Sequence, residues 1–453
     1  MTILGYLLAF LVAIGTLVAV HEYGHFWMAR RLGIRVIRFS IGFGRPLWRR
    51  LDSHGTEFAV SAIPLGGYIK LLDEREGPVA AADLSSAYNR KPVWQRILVL
   101  LAGPAANFLF AVAAYWVLFV AGVPALKPVL GEVAPESVAA RAGLVPGDEI
   151  VAVGEHKTGG REAVLLAILD RLMDGGKIEL EVRSPGGGTR VVPLRIEGST
   201  LPLTEPGALL PGLGFEFWYP AVPARVGKVL AGSPAERAGV RPEDLIVMVG
   251  EAPVADFAAL VHLVRPAAGR TLALTVERSG ERVVVPVEVE AEREGARLIG
   301  RIGIQPTAPA PVPEDMRTRE RYGVFTSVGK AVGKTWEMSA LTVRLLWNVA
   351  TGDVSARNLS GPINIAEYAG FSARQGILAF LSFLSIVSVS LFVLNLLPIP
   401  ILDGGQILYQ LAELAKGRPL SERAQAVGQQ IGIALLLMLM SLAFYNDISR
   451  LFS

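Results

Sequence analysis

The chain has 453 residues, room for about three soluble domains. Hydrophobic residues make up 51% and charged residues only 19%, against about 25% charged in ordinary soluble domains, so overall disorder is excluded and a membrane is implied. Forty-four Lys/Arg against 41 Asp/Glu leave a net charge of +3, which argues against a nucleic-acid partner, and the absence of Cys removes disulfides, thiolate metal sites, Fe–S clusters and Cys nucleophiles.

The hydrophobicity falls in four uncharged blocks, 3–20, 97–120, 376–402 and 427–445. Each is long enough for a helix to cross a hydrocarbon core of about 30 Å. The first lacks a basic leader and exceeds the apolar run of a signal peptide, so residues 1–27 read as a retained span. Residues 28–96 carry twelve Lys/Arg. The positive-inside rule places this loop in the cytoplasm and the N-terminus outside. Within it, residues 34–41 and 56–63 alternate apolar and polar, and Gly42-Phe43-Gly44 and Pro64-Leu65-Gly66-Gly67 punctuate them. A β-hairpin or sheet is expected there, either packed against the membrane face or an ordinary cytoplasmic hairpin. Span 97–120 then returns the chain to the outside.

The next segment contains a repeat. Residues 137–155 (SVAARAGLVPGDEIVAVGE) and 233–251 (SPAERAGVRPEDLIVMVGE) agree at twelve of nineteen positions. Each copy leads through a turn into alternating apolar runs, which predicts two small β-rich domains, 121–220 and 221–308. The pattern resembles PDZ domains of bacterial membrane and periplasmic proteases, except that Glu243 replaces Gly147 in the second copy. Domains of that kind take extended peptides at a sheet edge. Residues 309–375 read as a Pro-rich linker followed by an amphipathic helix over 322–349, at the membrane surface or on the second β-rich domain. Span 376–402, a cytoplasmic loop 403–426 and span 427–447 complete the chain, with the C-terminus outside.

The chemistry lies at the end of the first span, His21-Glu22-Tyr23-Gly24-His25. In H-E-x-x-H on a helix, residues i and i+4 share a face, so two imidazoles can bind one Zn²⁺ and the adjacent Glu can act as a base on water. A polar cap where the helix leaves the membrane is the plain alternative. Catalytic zinc usually takes three protein ligands. With no Cys, the third is sought among carboxylates and the remaining His. The third span ends Asn395-Leu396-Leu397-Pro398-Ile399-Pro400-Ile401-Leu402-Asp403-Gly404-Gly405. Its two Pro and two Gly should break the helix at membrane depth, which requires burial in protein or a wet cavity. Asp403 is the carboxylate in that break, or else an ordinary cytoplasmic turn residue.

Taken together, H-E-x-x-H in the first span, N-x-x-P-x-P-x-L-D-G in the third and two PDZ-like repeats between closely resemble the bacterial site-2 proteases, across essentially the whole chain. The segments 41–44, 64–70, 102–107 and 359–363 share the likeness. The resemblance implies an α-helical protein of the bacterial inner membrane with four transmembrane helices, a membrane-associated β-sheet after the first and two tandem PDZ domains, periplasmic like both termini. It implies an intramembrane zinc metalloprotease in which His21, His25 and Asp403 hold Zn²⁺ and Glu22 is the catalytic base. It offers Asn395, Pro398, Pro400, Gly42, Phe43 and Gly44 as substrate-binding residues, the sheet pairing with an unwound substrate strand. The implied partners are a pre-cleaved transmembrane protein of anti-sigma-factor type, remnant signal peptides, the lipid bilayer and periplasmic peptide ligands at the PDZ domains, or a size filter made by that pair. A non-catalytic PDZ-bearing membrane scaffold and a transporter are the alternatives; the latter lacks the repeated spans many transporters have.

Overall fold

A computed structural model describes residues 3–451 apart from 174–176, 197, 206, 295–296 and 308–311. Seven α-helices among the described residues lie outside the central β-rich segment: α1 Ile3–Arg31, α2 Val93–Ala121, α3 Val324–Thr351, α4 Pro362–Gln375, α5 Ile377–Asn395, α6 Asp403–Lys416 and α7 Glu422–Leu451. Four of them, α1, α2, α5 and α7, are long and apolar enough to cross a membrane. Helices α1 and α2 pack antiparallel and closely, because small residues face each other. A Cβ on Gly24 would lie 2.1 Å from the Ala102 carbonyl oxygen. Helix α5 lies on α2 through Val389, Ala111 and Tyr115.

The predicted hairpin is a more folded object. Strands β1 (Val36–Leu51) and β2 (Glu57–Leu71) pair with each other, but each bends and is used twice: 36–41 with 67–71 and 46–51 with 57–61 are antiparallel, whereas 36–41 and 57–60 run side by side in the same direction. Arg38 faces both Lys70 and Glu57, and Ser40 faces both Tyr68 and Ala59. The result is four strand segments in the order 46–51, 57–61, 36–41, 67–71. The bends fall at Gly42, Gly44 and Gly66, whose φ angles of +91°, +83° and +131° suit glycine. Phe39 and Phe58 of this sheet pack on Phe26 of α1, with ring centroids 5.4–5.7 Å apart. This contact seats the sheet beside the H-E-x-x-H turn.

The repeat forms two units of the same plan. The first has a four-stranded sheet in the order His156–Lys157, Glu149–Val153, Lys177–Arg183, Thr189–Arg195. The second has Ala252–Pro253, Leu245–Val249, Thr271–Arg278, Glu281–Glu288. In each, a first strand pairs with the last one, Leu130–Val133 with Phe215–Phe217 and Val226–Val229 with Ile304–Pro306. Each sheet is closed by a helix and its own apolar core. The shared motif has structural work in both copies. Ser137 and Ser233 cap a short helix, and Asp148 and Asp244 are buried and accept the backbone amide three residues earlier.

Three expectations change. Residues 123–126 do not belong to the first unit; they pair with Arg317–Glu320, a strand inside the expected linker, so the chain leaves α2 and re-enters α3 at one place. The expected loop 403–426 is mostly helix α6. Gly404 and Gly405 do not break a helix but open that new one. A Cβ there would lie 2.3 and 2.2 Å from the carbonyl oxygens of Leu396 and Ile399, so glycine is required for close approach. The break itself falls after Asn395, as the two prolines require. Residues 309–311 of the expected linker lie outside the described residues.

Candidate active site

Helix α1 carries His21 and His25 one turn apart on the face that meets α2, and the first residue of α6 carries Asp403 to the same point. His21 Nε2 lies 3.1 Å from His25 Nε2, and Asp403 Oδ2 lies 3.2 Å from the former and 3.5 Å from the latter. Among the described residues no other group of His, Asp or Glu converges in this way. Four tetrahedral ligands about 2.0–2.1 Å from a zinc ion stand about 3.3 Å from each other. The three donor atoms match that spacing.

The protonation pattern fits as well. His25 is buried, and its Nδ1 sits 2.7 Å from the Val99 carbonyl oxygen of α2. A carbonyl only accepts, so Nδ1 carries the proton and Nε2 presents a lone pair. Asn107, wholly buried on α2, presents its amide to His21 Nδ1 at 3.3 Å. With the amide turned so that Oδ1 faces the ring, the otherwise unpartnered Oδ1 accepts the Nδ1 proton and fixes the second lone pair on Nε2. Asp403 Oδ2 is buried without a hydrogen bond. Two nitrogen lone pairs and a carboxylate oxygen pointing at one spot call for a cation.

Glu22 lies between the ligand pair and the β-sheet. The outer strand segment 67–71 runs past it: a Cβ on Gly67 would lie 3.1 Å from Glu22 Cγ and 2.7 Å from Val18. Among the described residues, 67–71 pair on one side only, with 36–41. The other edge therefore faces the site.

The remaining expected residues lie in the turn that leads to Asp403 and in the sheet. Asn395 ends α5, and Pro398 and Pro400 form the turn into α6. The Pro400 carbonyl accepts from Gln406 Nε2 at 2.7 Å, and its ring faces Gly428 and Gly432 of α7. Gly42, Phe43 and Gly44 sit at the bend of the sheet, with Phe43 stacked on Tyr68 at 6.0 Å. It is Gly67, not this bend, that touches Glu22. Sequence reasoning gave no role to the α2 residues Val99, Gly103 and Asn107. A Cβ on Gly103 would lie 2.2 Å from His25 Nε2. The available signal was a polar Asn after a run of small residues, Ala102 to Ala106, inside an otherwise bulky apolar span.

Comparison with known proteins agrees with this geometry. Peptidase family M50 matches residues 9–439. The chain is 42% identical to the regulator of sigma-E protease RseP of Escherichia coli (strain K12), with 98% of each chain covered. It is 42% identical to the regulator of sigma E protease of Salmonella typhi over the full length of both. It is 40% identical to a putative zinc metalloprotease of Vibrio cholerae, again with 98% of each covered. The chain therefore belongs to peptidase family M50, the site-2 proteases, and is a zinc metalloprotease.

Proposed function

We propose that this enzyme hydrolyses a peptide bond within the transmembrane segment of a pre-cleaved, single-span membrane protein, with zinc held by His21, His25 and Asp403 and Glu22 as the base. The observation that carries the reading is the convergence of those three donor atoms beside Glu22, inside a set of membrane-length helices. Bound there, zinc would polarise the scissile carbonyl and acidify water. Glu22 takes the proton from the attacking water and passes it to the leaving amine. A transmembrane helix hides its amides and must unwind before it can be cut. The free edge of 67–71 offers backbone groups to the unwound strand and holds it next to Glu22. Asn395 and the Pro398–Pro400 turn border the same break in α5, and the Gly42–Gly44 bend sets the position of the sheet.

The two β-rich units are proposed as PDZ domains on the periplasmic side of an inner membrane, together with both termini. This reading is supported by the start of α1, the end of α2 and the end of α7 each meeting the 322–370 segment that follows these units in the chain. Tyr6 lies against Gly370 of α4, Asp447 accepts from the Gly361, Ile363 and Asn364 amides, and Tyr322 donates to the Phe119 carbonyl. An anti-sigma factor is the proposed substrate, because relatives of equal length are named regulators of sigma-E protease. The test is metal analysis of the purified protein with and without His21→Ala, alongside cleavage of a model transmembrane substrate. Loss of stoichiometric zinc together with cleavage is expected. Zinc retained in His21→Ala would show that it binds elsewhere.

A further inference from the structure

The three proposed zinc ligands come from two separate elements, α1 and α6, yet all are referenced to α2. Val99 receives His25 and Asn107 meets His21. One turn before Val99, Arg96 reaches α6. Its guanidinium is buried and grips Glu413 with both arms, Nη2 to Oε1 at 2.5 Å and Nη1 to Oε2 at 3.1 Å. Its Nε donates to the Lys91 carbonyl at 3.1 Å, so the fork is held from behind as well.

Helix α6 needs such a restraint. It begins at Asp403 with no side-chain cap, and Gly404 and Gly405 wedge its first turn against the 396–400 turn. Along its length Leu408, Leu411 and Leu414 are exposed, so packing on that face does little to fix its rotation. Glu413 stands ten residues beyond Asp403, about 15 Å along the axis. A turn of α6 by about 20° about its own axis would carry a group about 5 Å from that axis by nearly 2 Å. Metal ligands must be placed within about 0.2 Å. A planar bidentate pair fixes orientation in a way that an apolar contact or a single point charge does not.

We propose that Arg96 and Glu413 are a positioning pair that sets the rotation of α6, and thereby the place of Asp403 relative to His21 and His25. This rests on the ligand assignment made above. The pair touches neither metal nor substrate, and its effect is read in metal affinity.

The experiment uses the full-length protein in detergent. Zinc affinity is measured by competition with a fluorescent chelator, and melting of the metal-free protein is followed by circular dichroism. Arg96→Lys keeps the charge but loses the fork. It should weaken zinc binding 10- to 100-fold, the range for residues that orient metal ligands, with metal-free melting close to the parent. Glu413→Gln should behave alike, and the charge swap Arg96→Glu/Glu413→Arg should recover affinity relative to either single change. Unchanged affinity in Arg96→Lys overturns the proposal. Where a single change lowers metal-free melting too, the swap decides: melting restored without affinity overturns the proposal, and both restored supports it. Asp403→Asn runs in parallel. Zinc kept by that variant overturns the ligand assignment itself, whereas zinc lost there and kept in Arg96→Lys refutes only the pair.

Discussion

Two aspartates, the buried Asp244 in the second β-rich unit and the half-buried Asp403 at the head of α6, show opposite ways of placing a carboxylate in a protein. Asp244 accepts from Arg278 Nε at 2.8 Å, from Arg278 Nη2 at 2.7 Å and from the Arg241 amide at 2.8 Å. Every demand the carboxylate makes is met within its own unit, so its role is to hold a turn onto a strand. Asp403 has an oxygen facing two imidazole nitrogens and no hydrogen bond. The fold leaves it short of partners at the one place where two His are also aimed. A satisfied buried charge points to architecture; a convergent, unsatisfied set points to chemistry.

The sharpest way to break that contrast is at Glu22. Replacing it by Gln removes the base but keeps the shape and all three donor atoms. Cleavage should fall by at least about 100-fold, the low end of what general acid–base catalysis contributes, while zinc content and melting stay at parent levels. Undiminished cleavage by Glu22→Gln would refute the mechanism.

Next comes Asn107. If it fixes the His21 lone pair, Asn107→Ala should weaken zinc binding by about 10-fold or more, with the helices intact by circular dichroism. An affinity equal to the parent's would assign Asn107 to packing alone, through the Ser388 hydroxyl that donates to its backbone carbonyl at 2.8 Å.

How legible these features were in the sequence follows from their range. His21, Glu22 and His25 are one helical turn, and Asp403 lies in a run of Pro and Gly that breaks an apolar span, so both could be read locally. The α2 frame could not. Asn107 and Gly103 sit within a block whose overall hydrophobicity marks a span and nothing more, and their partners are about eighty residues away. The Arg317–Glu320 strand is charged at three of its four positions, so it reads as linker until Val123–Leu126 is found beside it. The double use of β1 and β2 depends on bends at glycines whose alternation with apolar residues looks like a plain hairpin.

The satisfied aspartate yields a stability prediction. Burial opposes ionisation of Asp244, but the Arg278 guanidinium and the Arg241 amide outweigh it and hold the carboxyl below the ordinary carboxylate range. A carboxyl lowered in the folded state contributes stability above its unfolded value of about 3.9, and loses that contribution as pH falls through the folded value. Asp244→Asn should therefore destabilise the second unit by about 1.5 kcal/mol at neutral pH. The difference between parent and variant melting should shrink below about pH 4. A gap that stayed constant to pH 3 would assign the effect to packing rather than charge.

The smallest effect separates the two units from each other. Gly147 and Glu243 occupy the same place in the repeat, and both have positive φ, +90° and +72°. A non-glycine residue there is strained by about 1 kcal/mol or more, while glycine loses more chain entropy on folding, by about 0.4–1 kcal/mol. The terms nearly cancel, so Glu243→Gly should change the melting of the second unit by less than about 1 kcal/mol. The Arg225 contact to the Glu243 carbonyl survives the change because it is made by the backbone. Gly147→Glu meets a different neighbourhood. In the first unit the strands Lys177–Arg183 and Thr189–Arg195 are joined by the five residues 184–188, and a Cβ on Gly147 would lie 2.9 Å from Pro185 Cγ of that loop. In the second unit the equivalent strands are joined by Ser279 and Gly280 alone, both with positive φ, a turn that suits the twist of a hairpin. With only two residues in that connection, the second unit has no counterpart of Pro185. Gly147→Glu should consequently cost more than Glu243→Gly changes, by the strain plus the displacement of Pro185. Equal and opposite shifts in the two units would show that backbone strain alone, and not the longer loop, distinguishes the copies.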